Sequence, residues 1–200
     1  MVSWIREAHD SDHQPSFIGP GGLDCAGFLR TLTQLERDRP VVLLAVTAAV
    51  LRVIDRAHGE RVAIALPPGS LVIDTGGCKG YPHDLGRAAI LELYERTLGV
   101  PPAQVVNEYG MTELCSQLYA RGHGALSAPP WMRTVVCDPA TGREVPPGTC
   151  GLLRHVDLAN LGSVLAVETE DIGRAVDGGI ELLGRVPGAV PRGCSLAVGS

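Results

Sequence analysis

The stretch NEYGMTEL occupies residues 107–114 and directly follows the short apolar stretch Gln104-Val105-Val106. It offers an amide, an aromatic ring, a hydroxyl and a carboxylate, from Asn107, Tyr109, Thr112 and Glu113. An amide can read a base edge, a ring can stack, a hydroxyl can donate to a phosphate and a carboxylate can hold Mg²⁺. We therefore predict a nucleotide-contacting turn at the end of a strand. An ordinary loop-to-helix turn that starts at Thr112-Glu113 is the alternative.

Upstream of this stretch, helical and strand patterns alternate. Helices are predicted over residues 24–37, 47–58 and roughly 84–98, and strands over 41–45 and 71–73. Such alternation is typical of a mainly parallel sheet with covering helices. The preceding residues 1–22 are polar and irregular, and the expected α/β subdomain covers 23–130.

From residue 131 onward the pattern changes to short strands separated by Gly, Pro, Asn and Asp turns. The strand candidates are residues 134–136, 151–156, 164–168 and 180–183. The turns at Thr141-Gly142 and Asp177-Gly178-Gly179 favour antiparallel hairpins. The fold class is therefore α/β, a parallel α/β subdomain followed by a smaller, mostly antiparallel β subdomain over 131–200.

A second loop of small residues follows the strand predicted at 71–73. Gly76 and Gly77 lack side chains, so a flat ring or a phosphate could approach their backbone. Lys79 stands next to them and is the only lysine among 17 basic residues. We interpret it as a candidate phosphate contact, while chance and surface solvation remain the alternative.

The composition argues against several classes of function. A net charge of −5 and scattered basic residues disfavour nucleic-acid binding. The longest apolar run, residues 41–51, is about half of the ~20 residues that a membrane span needs. The N-terminal MVSWIREAHD does not resemble a signal peptide, so a cytoplasmic location is expected. Six cysteines without a C-x-x-C pair predict neither a zinc site nor a disulfide framework.

NEYGMTE is similar to the tyrosine–glycine–x–threonine–glutamate motif of the acyl- and aryl-adenylate-forming superfamily. The resemblance implies a partial adenylate-forming (ANL-like) fold, in which residues 23–130 bind the adenylate. It implies that Asn107 and Tyr109 contact the adenine, that Gly110 belongs to the nucleotide-binding site, and that Thr112 and Glu113 serve the α-phosphate and Mg²⁺.

Two later segments resemble further motifs of the same superfamily. Residues 168–173 look like its T-G-D segment, which implies that Asp171 accepts the ribose hydroxyls, although Glu170 replaces the usual glycine. Residues 177–185 resemble its D-G…G-R stretch, which implies that Arg185 contacts the ribose or phosphate. As isolated residues, Asp171 and Arg185 have an alternative interpretation, as a surface acid in a turn and a cation in a hairpin. Three motif-like segments in the superfamily's order and spacing argue against a chance resemblance.

A narrower resemblance, from about Gly22 to the C-terminus, is to the LuxE-type acyl-protein synthetases, or long-chain fatty acid–protein ligases. It is carried by the segments TGGCKG, NEYGMTELCSQLY, PPWMRT, GLLRHVDLANLGSVLAVETEDIGR and PRGCSLA. It implies ATP- and Mg²⁺-dependent activation of a fatty acid, followed by transfer to Cys194 as a thioester. A reductase or another acyl-acceptor protein is the implied partner. A buried strand cysteine is the alternative for Cys194.

The superfamily's Ser/Thr/Gly-rich phosphate loop has no counterpart in these 200 residues. We therefore expect adenylation to be strongly impaired, in a truncated gene product, a partial gene model or one half of a split enzyme. Two other interpretations stay open. One is a carboxylate–CoA ligase of the phenylacetate type, in which Cys194 has no role, and the other is a non-catalytic remnant.

Overall fold

A computed structural model describes residues 15–78 and 85–188. The chain divides into two compact units, the first extending to Pro101 and the second beginning at Pro102. This division falls earlier than the subdomain boundary predicted after residue 130. The reason is the core of the second unit, in which residues on either side of position 130 pack together: Leu114, Leu118, Ala120, Leu126, Met132, Val136, Leu153 and Ile180.

The first unit combines an antiparallel strand pair, a parallel strand pair and three helices. The strands are β1 (Ile18–Gly19), β2 (Gly22–Leu23), β3 (Val42–Val46) and β4 (Leu71–Thr75). The helices are α1 (Cys25–Thr33), α2 (Thr47–Glu60) and α3 (Arg87–Leu98). Strands β3 and β4 pair in parallel, as predicted, with helix α2 in the crossover between them. No helix within the described ranges is long and apolar enough to cross a membrane.

Local chemistry accounts for the helix bounds. Asp24 caps α1 by accepting the Gly27 backbone N–H at 2.8 Å. The helix ends at Thr33 rather than at the predicted residue 37, because the Gln34 N–H turns back to the Thr31 carbonyl at 3.1 Å. Helix α2 buries its predicted apolar side, with Val50, Leu51, Val53 and Ile54 at most 2% exposed.

A buried acid ties β4 to α3 in the same unit. Asp74 is fully buried and forms an ion pair with Arg87 at 2.7 Å. It also accepts the Tyr94 hydroxyl at 3.2 Å. These contacts offset the desolvation of the carboxylate, which would otherwise cost several kcal/mol.

The second unit is built almost entirely of antiparallel strands. They are β5 (Val105–Tyr109), β6 (Leu118–Arg121), β7 (Met132–Cys137), β8 (Cys150–Asp157), β9 (Ala166–Val176) and β10 (Gly179–Arg185). Strands β5 and β6 form one antiparallel pair, and β7 to β10 form a meander in chain order. The prediction of mostly antiparallel strands after residue 131 is therefore confirmed.

The stretch 107–114 adopts a strand followed by a turn. Strand β5 extends through Tyr109, further than the predicted 104–106, and the chain then turns into β6 rather than into a helix. The interpretation of Thr112-Glu113 as a helix start is wrong. Antiparallel pairing of Tyr109 with Leu118 brings the chain straight back and leaves no room for a helix in between.

Candidate nucleotide-binding site

A bulge in β9 presents Asp171. Strand β8 pairs Leu152 with Ile172 and Arg154 with Glu168, so residues 169–171 stand opposite Leu153 alone. The Thr169 hydroxyl closes the bulge by donating to the Leu153 carbonyl at 3.0 Å and accepting the Asp171 N–H at 3.1 Å. The bulge turns the Asp171 side chain out of the regular ladder.

The same bulge explains how Glu170 replaces the glycine of the T-G-D pattern. Among the described residues, Arg61 is the only non-glycine with a positive φ. Position 170 therefore has a backbone conformation that any L-residue adopts, and a glycine is not required there. The Glu170 side chain accepts a hydrogen bond from Arg185 Nη2 at 2.9 Å.

Strand β10 brings Arg185 to the bulge. Its register shifts between Leu182 and Gly184, and beyond the shift Arg185 pairs with Asp171. Gly184 has a φ of +134°, a conformation that favours glycine. Arg185 Nε then lies 3.0 Å from Asp171 Oδ1.

Tyr109 completes the cluster from strand β5. Its hydroxyl donates to Asp171 Oδ2 at 2.7 Å. Burial raises the pKa of Tyr109 above its usual range, and the neighbouring Asp171 carboxylate raises it further. The phenol therefore stays protonated and acts as a donor. Asp171 thus contacts both Tyr109 and Arg185, and all three residues are ones that the superfamily resemblance assigns to the nucleotide site. Their roles towards a nucleotide stay predictions.

His155 belongs to this cluster but was missed by sequence reasoning. It is fully buried on β8, with Nε2 3.3 Å from the Tyr109 oxygen and Nδ1 2.9 Å from Thr134 Oγ1. Burial lowers the pKa of His155 to about 4, although the carboxylates of Asp171 and Asp157 act in the opposite direction. The available signal was the alternation of Leu153, His155 and Asp157, which places all three on one face of a strand.

Thr112 and Glu113 lie in the turn after β5 and are exposed. The Thr112 hydroxyl donates to Glu113 Oε2 at 3.1 Å. The Asn160 amide holds the turn by donating to the Glu113 carbonyl at 2.7 Å. The turn is fixed through its backbone, so both side chains face solvent.

Asp157 is a second buried anchor for this turn that the sequence did not reveal. Its carboxylate accepts the backbone N–H groups of Cys115 at 3.1 Å and Ser116 at 2.8 Å, and also the Ser116 hydroxyl at 2.9 Å. The Ala159 N–H adds a fourth bond at 3.0 Å. Burial by itself raises the pKa of Asp157, but the hydrogen bonds outweigh it and hold the pKa below its usual value.

The described residues contain no group of three or more His, Cys, Asp or Glu side chains that could hold a metal ion. Glu113 offers one exposed carboxylate. Mg²⁺ in nucleotide sites is usually bound by one or two carboxylates together with the phosphates and water. A single carboxylate is compatible with a Mg²⁺ that arrives with a nucleotide, and the metal role of Glu113 stays a prediction.

Gly76 and Gly77 belong to the first unit, whereas Asn107 and Gly110 belong to the second. In the first unit, Gly76 has a φ of +72°, and neither Gly76 nor Gly77 has an atom within 4 Å of the place a Cβ would take. Their backbone is open, as expected, and their part in nucleotide binding stays a prediction. A Cβ on Gly110 would lie 2.6 Å from Glu108 Oε1, the end of a flexible side chain, and the part of Gly110 in nucleotide binding stays a prediction. Asn107 precedes Tyr109 on β5, and its contact with adenine stays a prediction.

Lys79 and Cys194 lie outside the described residues. The phosphate contact proposed for Lys79 and the acyl-carrier role of Cys194 therefore remain sequence-based predictions.

Solved structures with a similar fold are adenylate-forming enzymes. Apo MatB from Rhodopseudomonas palustris is 19% identical with a TM-score of 0.53, over 82% of this chain and 34% of that one. A 2-hydroxyisobutyryl-CoA ligase in complex with 2-HIB-AMP and CoA is 17% identical with a TM-score of 0.61, over 85% of this chain and 40% of that one. A benzoate CoA ligase from Burkholderia xenovorans LB400 is 18% identical with a TM-score of 0.52, over 80% of this chain and 34% of that one.

The chain thus spans between a third and two fifths of the length of these enzymes. These likenesses establish the predicted partial adenylate-forming fold. No curated protein matches the sequence. The family model "Acyl-protein synthetase, LuxE" matches residues 26–200, and the chain therefore belongs to the LuxE acyl-protein synthetase family.

Proposed function

We propose that the chain supplies the adenylate-binding part of an ATP-dependent enzyme that activates a long-chain fatty acid. The contact of Tyr109, Asp171 and Arg185 carries this proposal. An aromatic ring offers a stacking face, a carboxylate accepts ribose hydroxyls and a guanidinium pairs with phosphate. Family membership supports the same reading.

In the proposed first step, a carboxylate oxygen of the fatty acid attacks the α-phosphorus of ATP. A bond from that oxygen to phosphorus forms, the bond to the bridging oxygen breaks, and pyrophosphate leaves with the electron pair. Thr112 would donate to the α-phosphate, and Arg185 would offset developing negative charge. Glu113 would hold Mg²⁺, which neutralises phosphate charge when bound.

In the proposed second step, the Cys194 thiolate attacks the acyl carbon of the mixed anhydride, and AMP leaves. The support is the resemblance of PRGCSLA to the family's C-terminal cysteine segment, together with a family match that extends to residue 200. The thioester would then serve a reductase or another acyl-acceptor protein.

Nucleotide binding tests the first part of the proposal. Calorimetry with AMP and Mg·ATP is expected to detect binding by the wild type and a loss of about tenfold or more in Asp171→Asn, because hydrogen bonds to a charged group are the stronger ones. Glu181→Gln is the matched control, since Glu181 pairs with Arg174 elsewhere on β9 and β10. Absence of binding by the wild type would reject the proposal in favour of a non-catalytic remnant.

Acyl transfer tests the second part. The chain is incubated with ATP, Mg²⁺ and labelled tetradecanoate, and the protein is analysed for hydroxylamine-labile label. We expect slow labelling, because the sequence has no Ser/Thr/Gly-rich phosphate loop, and loss of label in Cys194→Ser but not in the exposed-thiol control Cys150→Ser. Label that survives Cys194→Ser would refute the assignment of the acyl carrier. Label that appears on added CoA instead would favour a carboxylate–CoA ligase.

A further inference from the structure

His155 connects two strands through its ring. Nδ1 lies 2.9 Å from the Thr134 hydroxyl on β7, and Nε2 lies 3.3 Å from the Tyr109 hydroxyl on β5. The residue is fully buried, so water does not supply alternative partners. Its two ring nitrogens are therefore satisfied by these two hydroxyls.

The protons in this chain of contacts can be placed by elimination. The Tyr109 hydroxyl has one proton, which goes to Asp171 Oδ2 at 2.7 Å, because a carboxylate only accepts. The Tyr109 oxygen can then only accept from His155, so Nε2 carries the ring proton. Nδ1 is left as an acceptor, and Thr134 donates to it. Burial lowers the pKa of His155 to about 4, which agrees with a neutral ring at pH 7.

The Asp171 carboxylate keeps room for a ligand in this arrangement. Oδ2 accepts from Tyr109, and Oδ1 faces Arg185 Nε at 3.0 Å. Each carboxylate oxygen has about two acceptor positions. These two contacts leave at least one position on each oxygen, which matches the two hydroxyls of a ribose.

We propose that His155, in its neutral Nε2–H form, is a positioning residue that directs the Tyr109 hydroxyl to Asp171 and thereby orients that carboxylate for a ribose diol. This inference rests on the proposed function, in which Asp171 binds the ribose. A phenol proton has two in-plane positions. The Nε2–H of His155 occupies one of them, and only the position facing Asp171 remains.

The tautomer is tested without any nucleotide. Long-range ¹H–¹⁵N NMR of the full chain at pH 7 is expected to show the His155 ring with its proton on Nε2, the signal being assigned by its loss in His155→Gln. Tyr109→Phe removes the acceptor and is expected to shift the ring towards a mixture of tautomers. A ring protonated on Nδ1, or on both nitrogens, would overturn the proposal.

The effect on the ligand is tested with AMP and 2′-deoxy-AMP. His155→Met fills the space without a donor, and we expect it to weaken AMP binding about tenfold and 2′-deoxy-AMP binding much less. His155→Gln, whose amide N–H can reach towards Tyr109, should weaken AMP binding less than His155→Met does. The exposed His123 serves as control through His123→Gln.

The two nucleotides separate positioning from structure. Equal losses for AMP and 2′-deoxy-AMP in His155→Met would overturn the positioning role, because a general structural defect does not distinguish the 2′-hydroxyl. If the wild type bound neither nucleotide, the proposed function and the positioning role would both fail, and the NMR experiment would still decide the tautomer.

Discussion

Acidification should destabilise the second unit through His155. The ring is fully buried, and its pKa falls from 6.5 to about 4 because burial disfavours the charged form; the carboxylates of Asp171 and Asp157 oppose this only in part. The pKa is lower in the folded than in the unfolded chain, so the unfolded chain binds the proton first as the pH falls. The stability that the neutral His155 ring contributes is present above about pH 6.5 and is lost as the pH drops towards 4. Linkage gives a loss of about 2 kcal/mol between pH 7.5 and pH 5.

Urea unfolding at these two pH values measures this loss. The chain has two tryptophans, Trp4 and Trp131, so a Trp4→Phe background lets the fluorescence of Trp131 report on the second unit alone. At pH 5 most carboxylates are still ionised, and the other histidines are present in both proteins compared. His155→Gln, which cannot titrate, should lose about 2 kcal/mol less than the parent over the same interval. Equal losses in the two proteins would show that His155 has the same pKa in the folded and the unfolded chain, which would refute the effect of burial.

Three further predictions concern packing and anchoring. Gly151→Ala would place a Cβ 2.3 Å from the Cys137 carbonyl oxygen and should lower the free energy of unfolding by about 2–4 kcal/mol. The control Gly162→Ala would meet no atom within 4 Å and should change that free energy by less than about 0.5 kcal/mol. Equal effects of the two substitutions would contradict the strand geometry. Asp157→Asn puts an amide NH₂ group where two hydrogen-bond donors point and should lower the free energy of unfolding in urea by about 2–4 kcal/mol. An unchanged urea midpoint would refute the anchoring role of Asp157. Asp74→Ala removes the buried acceptor of the Arg87 guanidinium and should lower the free energy of unfolding of the first unit by about 3 kcal/mol. Its thermal midpoint should fall accordingly, and an unchanged midpoint would contradict this prediction.

The sequence predicted the parts of the site that depend on local order along the chain. Tyr109, Asp171 and Arg185 each lie in a short segment that resembles a superfamily motif, and in the structure Asp171 contacts the other two. The antiparallel strands after residue 131 were also predictable, because turn residues and short apolar runs are local signals.

The missing parts depend on contacts between distant residues. His155 and Asp157 act on residues more than forty positions away in the sequence, and nothing in their immediate neighbours reveals those partners. Thr112-Glu113 has the local chemistry of a helix start, but pairing of the flanking strands β5 and β6 overrides it. Tertiary context decides such positions, and a single sequence does not contain it explicitly.

The bulge at residues 169–171 has a practical use as well as a structural role. Since position 170 has no positive φ and its side chain points outward with 54% exposure, it accepts side chains of many sizes. A cysteine introduced there could carry a fluorescent or spin label beside Asp171 without entering the buried core. Such a label would sense a ligand at the carboxylate directly. A sequence pattern that demands glycine at this position would overlook chains of this kind, whereas one built on the tyrosine, the aspartate and the arginine would find them.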